Sequence, residues 1–196
     1  MGTRLLVALG FASIVAFAAV FLIGGMSNFI TARAAAKMAD PAEYCTAKGG
    51  VVSIRSATMD GGQTLLGEPQ VICLFMGASG TDTADTTIAV GGVTLSTSNP
   101  TRAMQAYREK PQIPAIDPPA DGSAIPNPSS VYCQSLGGVE GDWIDAAAAA
   151  DAPARIITMC VFPDLSMIDS WGLTYHTQGT IRGADLDPLM AWAPSR

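Results

Sequence analysis

The sequence has few charged residues, and positive charge is especially scarce. Only 14% of its 196 residues are charged, against about 25% in typical soluble domains. Its 11 lysines and arginines are outnumbered by 17 aspartates and glutamates, which gives a net charge of −6. Because proteins bind nucleic acids through clustered positive charge, this composition argues against nucleic acid as a partner.

Motifs for cofactors, metal ions and catalysis are missing as well. No C-x-x-C pair occurs, His176 is the only histidine, and the glycine pairs stand outside any nucleotide-binding motif. Zinc sites need closely spaced cysteines and histidines, and phosphate-binding loops need a defined glycine pattern. No nucleophile motif accompanies His176. We therefore expect no enzymatic activity, no cofactor and no metal site, and we expect His176 to lie on the surface or to be half-buried.

Charge is completely absent from residues 5–30. The apolar run in residues 5–26 would be about 33 Å long as a helix, enough to cross a bilayer core of roughly 30 Å. We predict an N-terminal transmembrane signal anchor in residues 1–36, with the lipid bilayer as the partner of residues 5–26. A signal peptide cleaved near Ala34 or Ala36 is the first alternative, and a buried helix of a soluble domain is the second.

Four cysteines divide the remaining chain into two similar segments. Cys45 and Cys73 are 28 residues apart, and Cys133 and Cys160 are 27 residues apart. Around each pair the same features recur, namely Tyr-Cys, then Gly-Gly-Val four residues later, then Cys-aliphatic-Phe. We interpret these spaced identities as an internal duplication.

The duplication also favours one disulfide pattern among the three that four cysteines allow. If each repeat closes its own loop, the bonds are Cys45–Cys73 and Cys133–Cys160. In the chain-entropy model, closing a loop of nearly 30 residues stabilises the folded state by about 3–4 kcal/mol. Disulfides indicate an oxidising compartment, so we expect most of the chain to lie outside the cytoplasm.

The second repeat contains a longer set of recognisable residues. They are Asn127-Pro128, Tyr132-Cys133, Gly137-Gly138, Cys160-Val161-Phe162-Pro163-Asp164, Ser166 and Trp171. This set resembles the small cysteine domain of bacterial haemolysin-like lipoproteins and secreted proteins, over residues 127–183 and more weakly over residues 40–75. Leu165 stands where that family has glycine, and Ile168 where it often has cysteine. The resemblance implies an envelope location and a small disulfide fold, but no mechanism, because the family has no established activity.

Capping and turn signals complete a predicted α+β fold. Asp40-Pro41 and Asn127-Pro128 are typical helix starts, and each is followed by a glycine pair and two strand-like segments. We expect an N-terminal transmembrane helix followed by two small disulfide-stapled α+β units joined by a proline-rich linker. The predicted boundaries are 1–36 for the anchor, 37–110 for the first unit with a hairpin about Gly91-Gly92 and a helix after Asn99-Pro100, 111–126 for the linker, 127–183 for the second unit, and 184–196 for an irregular tail.

These features together predict a non-catalytic, single-pass protein of the bacterial inner membrane with periplasmic disulfide domains. We expect an accessory or scaffolding subunit of a membrane protein complex, whose partners are other membrane protein subunits. Trp192 and Trp143 are the candidate interface residues, because tryptophan is enriched at interface hot spots. The alternative is a secreted or anchored envelope protein that acts as a ligand binder, an inhibitor or a haemolysin-like factor.

Overall fold

Six antiparallel strands form a closed barrel in the computed structural model, which describes residues 40–59, 64–77, 87–146 and 156–193. The strands are β1 (Val51–Met59), β2 (Thr64–Met76), β3 (Thr87–Gly91), β4 (Val139–Asp145), β5 (Ile157–Val161) and β6 (Met167–Asp169). Around the barrel they follow the order β1-β2-β3-β6-β5-β4, and β4 closes the circle on β1.

Short helices surround this barrel. In the described ranges they are α1 (Pro41–Ala47), α2 (Gly92–Ser96), α3 (Arg102–Glu109), α4 (Pro128–Ser135), α5 (Ser170–Thr177) and a 3-10 helix at Asp187–Leu189. The predicted starts of α1 and α4 are confirmed. The Asp40 side chain accepts hydrogen bonds from two backbone N–H groups of α1, and the Asn127 side chain accepts one from Ser129.

The barrel consists of two halves with the same order of elements. Each half is a helix, three strands and a second helix: α1-β1-β2-β3-α2 comes first, and α4-β4-β5-β6-α5 follows. The halves meet at two contacts between strands. Ala57 of β1 lies opposite Trp143 of β4, and Val90 of β3 lies opposite Ile168 of β6. Neither half forms a closed barrel by itself.

The predicted fold class is therefore wrong. Two separate α+β units would each leave strand edges unpaired, and pairing those edges between the halves satisfies their backbone groups and encloses a common interior. The transmembrane helix predicted at residues 5–26 lies outside the described residues. Within the described part of the chain, no helix has the length and apolar character needed to cross a membrane.

The hairpin predicted about Gly91-Gly92 is also wrong, because Gly91 ends β3 and Gly92 begins α2. A Cβ atom on Gly91 would lie 2.7 Å from the Cγ of Met167, and one on Gly92 would lie 2.7 Å from Cγ1 of Val71. These glycines allow neighbouring elements to approach closely. Neither has the positive φ that the usual two-residue hairpin turn requires at glycine.

Alternating strand residues divide the core into two layers. The inner layer receives side chains from all six strands: Ala57, Ile72, Leu74, Ala89, Trp143, Met159 and Met167. The outer layer joins strands to helices and includes Cys45, Cys73, Leu95, Met104, Tyr107, Tyr132, Cys133, Cys160, Leu173, Leu186 and Met190. The period of two along each strand separates the layers, so the barrel has packed side chains on both faces.

Both disulfides lie in the outer layer, and each joins a helix to a strand within one half. Cys45 of α1 is bonded to Cys73 of β2, and Cys133 of α4 is bonded to Cys160 of β5. The Cα–Cα distance is 5.6 Å in both bonds. The predicted pairing is confirmed.

Gly138 lies against the second disulfide, and we expect Gly138→Ala to destabilise the oxidised protein. An added Cβ would lie 2.6 Å from the Sγ of Cys160 and 2.9 Å from the Sγ of Cys133. Such overpacking typically costs about 1–3 kcal/mol, measurable by urea unfolding. The matched control is Gly141→Ala, whose Cβ would meet nothing closer than 3.9 Å, and it should change stability by less than about 0.5 kcal/mol. Equal stability of the two variants would contradict this packing.

Asp169 caps the N-terminus of α5, where its Oδ1 accepts a hydrogen bond from the backbone N–H of Gly172 at 2.6 Å. Burial raises the pKa of this carboxyl group from 3.8 to about 6, although the Gly172 hydrogen bond and the positive charge of Arg182 act in the opposite direction. Between these two pKa values the folded state holds a proton that the unfolded chain has lost. The group therefore makes the protein less stable as the pH rises from about 4 to about 6.

We expect Asp169→Asn to remove this contribution, because asparagine remains a good helix cap and carries no charge. A shift of about two pKa units corresponds to at most about 3 kcal/mol at neutral pH. The variant should therefore gain stability relative to the parent protein as the pH rises from about 3.5 to about 7. Thermal unfolding of both proteins across this range measures the difference, and a difference that does not depend on pH would refute the assignment.

Candidate functional site

An apolar cavity of about 370 Å³ opens at one end of the barrel. We refer to it as the mouth, and it is lined by Ala57, Gly137, Val139, Glu140, Gly141, Trp143, Val161, Phe162 and Pro163. The strand register accounts for the opening. Pairing between β1 and β4 reaches only to Asp142, so that residues 139–141 pair with β5 alone.

Trp143 forms the floor of the mouth. Its side chain belongs to the inner layer and is only 7% exposed. Val139 precedes it by four residues on the same face of β4, yet 71% of Val139 is exposed. Gly141 lies between them and contributes no side chain, which leaves the indole accessible from the mouth. The apolar side chains of the inner layer therefore extend to the mouth, where they line an open cavity.

An acidic groove of about 390 Å³ adjoins the mouth and shares Glu140 and Gly141 with it. The carboxylate of Glu140 accepts hydrogen bonds from the hydroxyls of Ser129 and Ser130, and Asp142 accepts one from Thr158 at 2.9 Å. In the described part of the chain, neither lining includes a lysine or an arginine. The mouth thus combines an apolar floor with acidic groups at one side.

Arg55 occupies the position in the first repeat that Trp143 occupies in the second, four residues after the valine that begins the strand. Its side chain is only 3% exposed. The Nε atom donates to the Ser53 hydroxyl at 3.0 Å, and Nη1 donates to the Trp143 carbonyl at 3.4 Å. The two halves therefore differ at equivalent positions. The first half has a buried, hydrogen-bonded arginine, and the second has a tryptophan that lines an apolar cavity.

The comparisons with known proteins concern the half that forms the mouth. Residues 124–176 match a protein family described as a domain of unknown function (DUF333). This match covers roughly a quarter of the chain, and it is consistent with the small cysteine domain expected there. It tests neither the duplication nor the haemolysin-like designation. Searches of the curated proteins and of the solved structures found no match.

The Pro-Asp-x-Ser segment of the second repeat has a structural role. Asp164 accepts a hydrogen bond from the backbone N–H of Arg102 at 2.8 Å, and the Ser166 hydroxyl accepts one from Ala103 at 3.1 Å. These contacts cap the start of α3. Leu165, which replaces the glycine of the resembling family, has a φ of 63°, a conformation that glycine adopts at lower cost.

Trp192 packs against the folded part of the chain and does not belong to a free tail. It is half-buried against the outer layer, and the guanidinium carbon of Arg108 lies 4.6 Å from its ring centroid. The preceding residue, Ala191, donates a backbone hydrogen bond to the Leu95 carbonyl at 2.9 Å. The segment predicted as an irregular tail therefore packs on the barrel, and the interface role of Trp192 stays a prediction.

His176 belongs to a separate cleft that shares no lining residue with the mouth. It is only 6% exposed, so the expectation of a surface or half-buried histidine is corrected to a buried one. Its ring stacks on that of Tyr107, with 3.6 Å between the centroids.

Among the residues of the mouth, the sequence predicts Trp143 as a candidate but gives no indication of Val139. Both Val51 and Val139 follow a glycine pair and begin a strand, so that the local pattern is the same in the two repeats. The pairing between β1 and β4 leaves residues 51–54 beyond its end just as it leaves residues 139–141, so the difference arises from the residue four positions later. The sequence does show an arginine at position 55 where the second repeat has a tryptophan at position 143. This difference could be interpreted as a site only once both residues are known to belong to one barrel.

Substitutions at the floor and at the rim of the mouth should change stability by very different amounts. Trp143→Ala should cost about 3–5 kcal/mol, because it removes a buried aromatic side chain from the inner layer. Val139→Asp should change stability by less than about 1 kcal/mol, because the valine is largely exposed. Urea unfolding of both variants measures these effects, and a loss of several kcal/mol for Val139→Asp would show that the mouth is closed in solution.

Proposed function

We propose that this protein is a non-catalytic binding module outside the cytoplasm, an accessory subunit that receives an apolar side chain of a partner protein in the mouth. The observation that carries this proposal is an apolar cavity with the buried Trp143 at its floor and the exposed Val139 at its rim. Ligand sites are typically concave and mostly apolar, and the ends of β-barrels are among their common locations. A cavity of about 370 Å³ has room for one or two apolar side chains.

A location at the periplasmic face of the bacterial inner membrane fits this function. The two disulfides support an oxidising compartment, and the apolar run in residues 5–26 supports export to the membrane. The resemblance of residues 127–183 to a domain of envelope proteins supports the same compartment. Cell fractionation should place the oxidised protein with the inner membrane, and recovery of a reduced protein in the cytosol would exclude this location.

An internal duplication, followed by divergence of the two halves, explains how the mouth arose. Its support is the common order of elements and the helix-to-strand disulfide in each half. In this account the copies diverged where Arg55 and Trp143 now stand. The buried arginine donates hydrogen bonds to Ser53 and to the Trp143 carbonyl, while the tryptophan leaves an apolar floor for a partner.

Photo-crosslinking in living cells tests the proposed function. A benzoylphenylalanine placed at residue 139 of the full chain should form a discrete adduct with a partner protein. The matched control is the same probe at Val51, which begins the first repeat's strand and is 46% exposed. It should give no such adduct.

A substitution should then separate the mouth from the rest of the surface. Val139→Asp places a charge at the apolar rim, and we expect at least a tenfold loss of the crosslinked partner in co-purification. Val51→Asp should leave recovery unchanged. The proposal fails if the adducts from positions 139 and 51 are the same, or if Val139→Asp retains the partner. A small apolar molecule recovered in place of a protein would favour the alternative of a secreted ligand binder.

A further inference from the structure

We propose that a second site binds a small monocarboxylate. The site is a cleft of about 330 Å³ between the end of α3, helix α5 and the C-terminal segment. Its lining is Tyr107, Arg108, Lys110, His176, Asp185 and Asp187. This inference is independent of the function proposed for the mouth.

The carboxylates of Asp185 and Asp187 in the cleft already accept hydrogen bonds from groups of the protein itself. Asp187 accepts from the Nε of Arg108, and its backbone carbonyl accepts from Nη2 of the same guanidinium at 3.2 Å. Asp185 accepts from the Tyr107 hydroxyl and from the backbone N–H of Asp187, both at 3.1 Å. These bonds fix the orientation of the guanidinium and leave its remaining nitrogen for another partner.

Two buried nitrogen atoms of the cleft lack any hydrogen-bond partner within the described ranges. They are Nη1 of Arg108 and Nδ1 of His176. His176 is 94% buried, and its ring lies within 7° of parallel to the Tyr107 ring, so that the stack fixes the imidazole plane. Buried polar atoms in native proteins nearly always have a partner. Because a guanidinium nitrogen can only donate, the partner of Nη1 has to be an acceptor.

Lys110 adds another donor at the exposed side of the cleft. Burial and the positive charge of Lys110 lower the pKa of His176, while Asp185, a hydrogen bond to the backbone carbonyl of Tyr107 and Asp187 act in the opposite direction. The imidazole N–H is used by the Tyr107 carbonyl, so the ring forms a wall of the cleft and does not serve as a donor to a ligand. An acceptor in the cleft would then meet donors from the guanidinium and the ammonium group.

The charge balance selects a monocarboxylate among the possible acceptors. Arg108 and Lys110 contribute two positive charges, and Asp185 and Asp187 contribute two negative ones. A phosphate dianion would bring two charges close to both aspartates, and a neutral amide would form weaker bonds than a carboxylate does.

The test uses the full oxidised chain and sodium acetate as the probe. Because His176 is the only histidine, its imidazole NMR signals report on this cleft alone. Acetate at about pH 7.5 should shift them in a saturable way, and sodium chloride at equal ionic strength should not. We expect Lys110→Gln and Arg108→Gln each to weaken binding about tenfold. Asp187→Asn should strengthen it, because it removes a negative charge beside the ligand while its amide oxygen can still accept the hydrogen bond from the Nε of Arg108.

Lys110→Gln keeps the test decisive if Arg108→Gln fails to fold, because the Lys110 side chain is exposed. The proposal is overturned if acetate acts like chloride, if acetamide or phosphate binds more tightly than acetate, or if Lys110→Gln has no effect. N-acetylglycylglycine and its C-terminal amide distinguish the source of the carboxylate. Tighter binding of the free peptide than of acetate indicates a protein terminus, whereas equal binding indicates a free acid, and either result supports the proposed chemistry.

Discussion

The pairing of β1 with β4 is the contact on which the rest of the structure depends. It places Ala57 opposite Trp143 and joins two halves that could not close separately. Once this register is set, side chains of all six strands share one interior, and β4 extends beyond its pairing with β1. The mouth opens where β4 extends beyond this pairing and Trp143 stands at the position that Arg55 occupies in the first repeat. The proposed binding function therefore follows from a backbone hydrogen-bond pattern as much as from the side chains that line the cavity.

The outer layer supports this closure from the other side of the strands. The two disulfides hold α1 and α4 to β2 and β5, and the C-terminal segment covers a further part of the same layer with Leu186 and Met190. That segment also supplies Asp185 and Asp187 to the polar cleft. One packing arrangement thus stabilises a small barrel and creates a second, chemically distinct pocket beside Tyr107.

Local features of the fold could be predicted from the sequence, whereas its closure could not. The caps at Asp40 and Asn127 act over two or three residues, and the repeated spacing was enough to pair the cysteines. Pairing between Ala57 and Trp143 joins strands from different repeats, and no local pattern specifies it. The same limit explains Gly91-Gly92, which resembles a turn but serves close packing against residues distant in sequence. Of the candidate site, Trp143 could be identified in advance, while the exposure of Val139 depends on the register.

The most direct test of this account is a nuclear Overhauser spectrum of the isotopically labelled, oxidised protein. A closed barrel predicts contacts between strands at both junctions of the halves, from residues 55–58 to residues 142–145 and from Val90 to Ile168. These contacts should appear together with the contacts within each half. A spectrum that shows the contacts within each half but lacks those at either junction would contradict the single barrel and, with it, the mouth.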